Sequence, residues 1–225
     1  MKKTPVLQFR GKTIFLRPPT PADFPEYAAL MKISQPVIRG LVNPFKGRKQ
    51  FSDYLQRCER EDFYGFLICR RDDGAMVGVI NLFNIVRLGV QNAITGYFVG
   101  APHVRRGYAT EALQLVLRFA FRQLRLHRVE ASIQPQNAAS IALVRRAGFA
   151  LEGYSRRLVK IAGKWRDHQR WAILVEDWRT TVPKRKPLGA GYVEAGKISG
   201  IPPRARLAKA HQAWSRKRPS GSSEK

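Results

Sequence analysis

The chain has 225 residues, 44% of them hydrophobic, and carries 41 Lys and Arg against 16 acids, a formal charge of +25. That length suits one domain with an ordinary core and a short extension, and no stretch approaches the ~18 apolar residues of a membrane-spanning helix. Cys58 and Cys69 lack CxxC spacing and the four histidines are scattered, so no disulfide framework, zinc knuckle or other metal site is expected.

Gln8, Arg10 and Lys12 follow Met1-Lys2-Lys3 where a secretory signal would place an apolar run, which reads as a cytoplasmic protein. The first strand is expected over 13–17. Thr20-Pro21-Ala22-Asp23 then supplies a cap, a proline for the first turn and an acid, opening a helix to about Lys32. Phe51, Leu55 and Cys58 mark a second helix. Strands follow over 63–70 and 75–85 around the turn Arg71-Asp72-Asp73-Gly74, and another over 92–100. The clearest element is a helix over 107–124, whose stripe runs through Ala109, Ala112, Leu113, Val116, Leu117, Ala120, Phe121 and Leu124. A strand (128–134), a helix (138–146) and two strands (149–161 and 165–175) around Ala162-Gly163 complete the order β-α-α-β-β-β-α-β-α-β-β. This is an α/β fold, a sheet covered by helices. Residues 1–12 read as a lead-in, 13–180 as the domain and 181–225 as a tail. The tail holds 11 Lys and Arg against two acids, with Pro and Gly throughout and no apolar period, and is expected to be disordered. Positive charge in both parts favours polyanionic partners such as RNA, the ribosome, nucleotide cofactors or acidic proteins.

Two short motifs carry the chemistry. Val104-Arg105-Arg106-Gly107-Tyr108-Ala109-Thr110 takes a strand through a loop into the long helix. Small residues there let backbone amides approach a ligand, and the helix start attracts anions. Arg105 and Arg106 add guanidiniums suited to phosphate oxygens. The motif serves equally as an ordinary helix start. The second motif is Asn137-Ala138-Ala139-Ser140, closed by Ala147-Gly148-Phe149. Asn137 can cap its helix, Ser140 points to nearly the same side, and Gly148 ends the helix. Alone, it reads as capping.

Together, in this order and separation, the motifs resemble the GNAT superfamily of acetyl-CoA-dependent N-acetyltransferases. Its loop reads [Q/R]-x-x-G-x-[G/A], and a later helix reads N-x-x-[S/A] up to a terminal G-F. With Gly96-Tyr97-Phe98-Val99, Glu152-Gly153-Tyr154 and Gly163-Lys164-Trp165-Arg166-Asp167-His168, the sequence is similar to the Rim-type branch, which acetylates the N-termini of ribosomal proteins. The last stretch is most similar to enzymes acting on the N-terminal alanine of uS5. The likeness covers about 13–179.

The resemblance implies a GNAT fold, with a mixed, mostly antiparallel sheet, and acetyl-CoA as cosubstrate. It places Phe98 and Val99 on the strand that pairs with pantetheine. Arg105, Arg106, Gly107, Tyr108, Ala109 and Thr110 would lie on the pyrophosphate, Asn137 on the pantetheine arm, and Ser140 near the thiol; because a departing thiolate of pKa ~8.5 needs a proton, Ser140 is the candidate catalytic donor. Three positions depart from the pattern. Val104 replaces the loop's Gln or Arg, Val144 the Tyr that often serves as acid, and Ile94 and Thr95 stand where a Glu is frequent. Glu152, Asp167 and His168 are the candidate bases. The implied partner is a protein N-terminus, with no membrane; the tail lies outside the likeness, and its basic composition suggests ribosome or RNA contact. Two other readings stay open: acetylation of a small amine (an aminoglycoside or polyamine), and ribosome or RNA binding with little catalysis.

Overall fold

Residues 8–45 and 47–181 are described by a computed structural model. Apolar residues of period two build an eight-stranded sheet in the order β1-β2-β3-β4-β5-β6-β8-β7. The strands are β1 (Phe9–Arg10), β2 (Ile14–Arg17), β3 (Phe63–Arg70), β4 (Met76–Val86), β5 (Asn92–Val99), β6 (Arg128–Ile133), β7 (Ala150–Ile161) and β8 (Lys164–Leu174). The helices are α1 (Phe24–Ile38), α2 (Arg48–Cys58), α3 (Tyr108–Arg118), α4 (Ala138–Arg146) and α5 (Val175–Thr181).

Both faces of the central strands are buried. Ile14, Leu16, Phe66, Ile68, Ile80 and Leu82 pack with Leu113, Val116 and Leu117 of α3. On the opposite face Leu67, Cys69 and Val79 meet Tyr27, Leu30, Met31, Phe51 and Tyr54 of α1 and α2. This alternation explains why β3 and β4 read as nearly unbroken apolar runs. All neighbouring strands are antiparallel except β5 and β6, which run parallel. The α/β order expected from the sequence is present, and the mixed sheet matches the expected fold class.

The structure departs from the expectation at short or interrupted elements. β1 precedes the expected first strand and is held by Phe9, whose ring lies 5.5 Å from Phe66 and 5.0 Å from Phe119. α1 does not stop near Lys32 but continues past Pro36 to Ile38, because Ser34 and Ile38 are both buried. Tertiary burial there outweighs the helix-breaking tendency of Pro36. The long helix changes from α to π geometry at Phe119–Gln123. β8 ends at Leu174, and α5 follows because Trp178 packs 5.3 Å from Phe121, with the Arg122 guanidinium over its ring. The two-residue turn between β7 and β8 forms as expected, with left-handed Ala162 (φ 49°) and Gly163 (φ 80°) as a tight hairpin requires. The tail, apart from Thr181, lies outside the described residues.

Candidate active site

The site is built around a parting of two strands. β5 and β6 pair only through Asn92, Ala93 and Ile94 against Arg128, Val129 and Glu130. Beyond that point Thr95–Val99 continue along β4, while 131–133 continue along β8. One edge of each strand therefore faces an opening. Backbone N–H and C=O groups along such an edge are strong hydrogen-bonding groups that a ligand can satisfy.

α1 spans the opening on one face. Ser34 Oγ accepts a 2.9 Å bond from Ala101 N, just beyond β5, and donates to Leu30 O at 2.6 Å. Six residues later Gly40 O accepts from Gln134 Nε2, just beyond β6, at 2.7 Å. The loop after α1 then reaches the β7–β8 hairpin, where Asn43 donates to Lys160 O and accepts from Ala162 N, both at 3.0 Å.

On the other face lie the starts of α3 and α4. Gly107 occupies the N-cap of α3 at φ 82°, which a glycine adopts without strain, and Arg105 is also left-handed at φ 61°. The first-turn amides of Tyr108, Ala109 and Thr110 have no acceptors within the helix. Arg105 and Arg106 are exposed, and neither is in an ion pair among the described residues. Glu111, the acid of this turn, is directed away from the amides, accepting from the backbone N–H groups of Lys12 and Thr13. The loop therefore presents donors and positive charge, with its own acid Glu111 turned away, which suits an anion such as a pyrophosphate.

Asn137 caps α4, its Oδ1 accepting from Ser140 N at 3.1 Å. Ser140 Oγ lies 2.8 Å from the Tyr97 hydroxyl. Tyr97 was not among the residues expected from sequence, and it brings a second hydroxyl into the opening from β5. Burial pushes its pKa up to about 12, against an opposing hydrogen bond to Ser140, so Tyr97 stays protonated at neutral pH. Phe98 packs toward the α1–α2 layer and Val99 toward the α3 layer, so both are anchored while their backbone lines the opening.

The three candidate bases are not equivalent. Glu152 is paired with Arg128, whose hydrogen bonds hold its carboxyl below the usual range. That pair sits where β5 and β6 are still joined, away from the opening. Asp167 accepts from the Tyr154 hydroxyl at 2.6 Å and from Arg157 N at 2.7 Å, and both bonds lower its pKa. His168 is buried, with Nδ1 3.0 Å from Arg166 O. Its neighbour Gln169 pairs with Ile133, the last residue of β6, and His168 itself stands opposite Ser155 of β7. Sequence reasoning also missed Glu130, buried between Arg128 and Arg170. Burial would raise its pKa, but these two guanidiniums outweigh that and keep it ionised.

Comparison with known proteins bears on this geometry. Residues 13–150 match the acetyltransferase (GNAT) domain family. The chain is 37% identical over 176 residues to the Bacillus subtilis probable N-acetyltransferase YjcK, covering 75% of this chain and 97% of that protein. It is 36% identical over 107 residues to the [ribosomal protein uS5]-alanine N-acetyltransferase of Escherichia coli, covering 48% of this chain and 55% of that enzyme. Among solved structures, Mycobacterium smegmatis RimJ in complex with CoA-disulfide superposes with a TM-score of 0.65 at 27% identity, over 76% of this chain and 87% of that one.

Proposed function

The chain belongs to the GNAT family of N-acetyltransferases, and from that premise we propose that it moves the acetyl group of acetyl-CoA to the N-terminal amine, an alanine, of a ribosomal protein such as uS5. The observation that carries this reading is the parting of β5 from β6, with the hydroxyls of Tyr97 and Ser140 inside it and the α3 start beside it. Acetyl-CoA supplies an activated acyl thioester. The amides of Gly107, Tyr108, Ala109 and Thr110, with Arg105 and Arg106, hold its pyrophosphate. The unpaired edge at Phe98 and Val99 binds the pantetheine arm as an added strand would. Asn137 spends its Oδ1 on the Ser140 amide, which leaves the Nδ2 donors for an amide carbonyl of that arm.

Acetyl transfer forms a C–N bond and breaks a C–S bond, so the amine must lose a proton and the sulfur must gain one. An α-amine with a pKa of ~7.7–8.0 is partly neutral near pH 7, so a modest base suffices. His168 fits that role better than Glu152 or Asp167. Donation from its Nδ1 to the Arg166 carbonyl leaves Nε2 with its lone pair. Ser140 passes a proton to the departing thiolate and regains one from solvent, while the proton taken from the amine leaves the base to solvent; Tyr97, kept protonated, donates to Ser140 Oγ and holds the serine hydroxyl toward the sulfur.

Two observations favour a protein terminus over a small cationic amine. One is the relationship to the uS5-alanine enzyme, and the other is the +25 charge, which repels a polyamine or aminoglycoside. The test is incubation with acetyl-CoA and an Ala-starting peptide beside a small-amine panel, following thiol release and product mass. Preferential turnover of a small amine would overturn the substrate assignment and leave the acetyltransferase assignment standing. The basic 181–225 segment is assigned to ribosome or RNA contact. Its removal should leave peptide acetylation nearly unchanged and weaken co-sedimentation with ribosomes, whereas full-length and truncated proteins that pellet alike at both low and high salt would exclude that role.

A further inference from the structure

Two clefts lie beside α4 and the β7–β8 hairpin. One, of about 540 Å3, runs between the outer face of α4 and β8, with Arg145, Arg146 and Gln169 in its wall. The other, of about 280 Å3, lies between 134–136 and the β7–β8 hairpin, lined by Tyr154, Arg157, Trp165 and Arg166. Pro135 borders both. Tyr154 and Gln169 are directly paired across β7 and β8 and so share a face. The clefts therefore join into one continuous groove.

The chemistry of this groove is unlike that of the opening between β5 and β6. Four of its side chains are guanidiniums, and none is in an ion pair among the described residues. Arg166 Nε is sequestered with no hydrogen-bond partner. The one lining carboxylate, Asp167, is already occupied by Tyr154 and the Arg157 amide. Two large aromatic side chains stand in solvent beside these cations, Tyr154 at 55% and Trp165 at 59% exposure. Lys160, directly opposite Trp165 on the adjacent strand, adds a cation to the same face.

We propose that this groove binds single-stranded RNA, with phosphates on Arg145, Arg146, Arg157 and Lys160 and bases stacked on Tyr154 and Trp165. Cations tracking a backbone beside exposed rings are the pattern by which proteins hold unpaired strands, since every base offers a flat face. An acidic peptide would use the cations but gain little from two exposed rings. The proposal does not rest on the acetyl acceptor's identity, because it is read from the cations and rings of this groove alone.

The test uses the full-length chain and fluorescence anisotropy with a labelled single-stranded RNA of about twelve nucleotides, titrated over a range of salt. Trp165→Leu keeps the charge and should weaken binding at least about fivefold with an unchanged salt slope. Arg146→Gln with Arg157→Gln keeps the backbone amide that holds Asp167 and should flatten the log–log salt slope by about 1.4, two single-strand phosphate contacts at ~0.7 each. Unaltered melting temperatures establish that both variants fold. Unchanged affinity and slope in both would overturn the proposal. Displacement of the RNA by saturating CoA would overturn it too, placing the polyanion on the 105–110 loop, as would stronger competition by polyglutamate than by unlabelled RNA.

Discussion

Tyr97→Phe and Ser140→Ala test whether the two hydroxyls act as one device. The two atoms sit 2.8 Å apart on elements 43 residues apart in sequence. Removing the tyrosine hydroxyl deletes one neutral hydrogen bond, worth about 1 kcal/mol of stability, and leaves the ring's packing intact. Proton donation by a positioned group contributes about 10²–10⁴ to rate, so Ser140→Ala should lower kcat about a hundredfold. Tyr97→Phe leaves the donor present but unoriented, and about a tenfold loss is expected on the same scale. If Tyr97 works only through Ser140, the double variant should be no slower than Ser140→Ala alone. Independent roles would instead multiply, to about a thousandfold, a difference of about 1.4 kcal/mol in coupling. The assay is initial-rate thiol release with an Ala-starting peptide at saturating acetyl-CoA, with the dissociation constant for CoA measured alongside. Losses that multiply would refute the relay, and an unchanged kcat in Ser140→Ala would return both hydroxyls to a packing role.

Three further outcomes follow from the geometry. Gly107→Glu combines a left-handed φ with a carboxylate at an anion site; about 2 kcal/mol of strain and repulsion together should raise the CoA dissociation constant about thirtyfold by calorimetry, and an unaltered constant would remove the cofactor from this loop. Gly78→Ala drives a Cβ into the Phe98 carbonyl oxygen, a backbone atom that cannot rotate away; a stability loss of about 2 kcal/mol in urea and weaker CoA binding are expected, since β5 must shift where it borders the opening. Asp23 is buried, which works to raise its pKa, but two bonds from Arg17 at 2.8 and 2.5 Å and those from the Thr20 amide and hydroxyl outweigh this and hold it low. Its folded pKa lies below the unfolded one, so its stabilisation is present above about pH 4 and is lost as pH falls through the folded value. Asp23→Asn should cost about 2 kcal/mol near neutral pH and flatten the acid limb of the melting curve.

The parts legible in the sequence are those determined by adjacent residues. The α3 start could be read because its cap, its glycine and its arginines are consecutive, and Asn137 could be read as a cap because its partner is three residues on. The Tyr97–Ser140 pair could not, because it depends on where β5 separates from β6, and no local pattern encodes which strands become neighbours. Thr95, Tyr97 and Val99 alternate in the same way whether or not another strand lies beside them. α1 past Pro36, β1 and α5 were hidden for a related reason. Each is held by distant contacts, through Ile38, Phe9 and Trp178, that outweigh weak local propensity. Of the three candidate bases, only knowing which cations reach Glu152 and which donors reach Asp167 separates them from His168.

The way α1 and the loop after it tie the end of β5 to the end of β6 works as a tether. From Ser34, which holds Ala101, the last turn of α1 runs to Ile38, and Arg39 and the left-handed Gly40, which holds Gln134, then leave the helix axis, so a fixed length of chain joins the two strand ends. The parted strand ends are thus tied to one another by a covalent tether as well as by the sheet. Binding then requires no work to separate paired strands, and the free-energy cost of organising the slot is met once, when the protein folds. Adding or removing a residue between Ser34 and Gly40 would change the gauge of the slot while leaving every group that faces the guest in place.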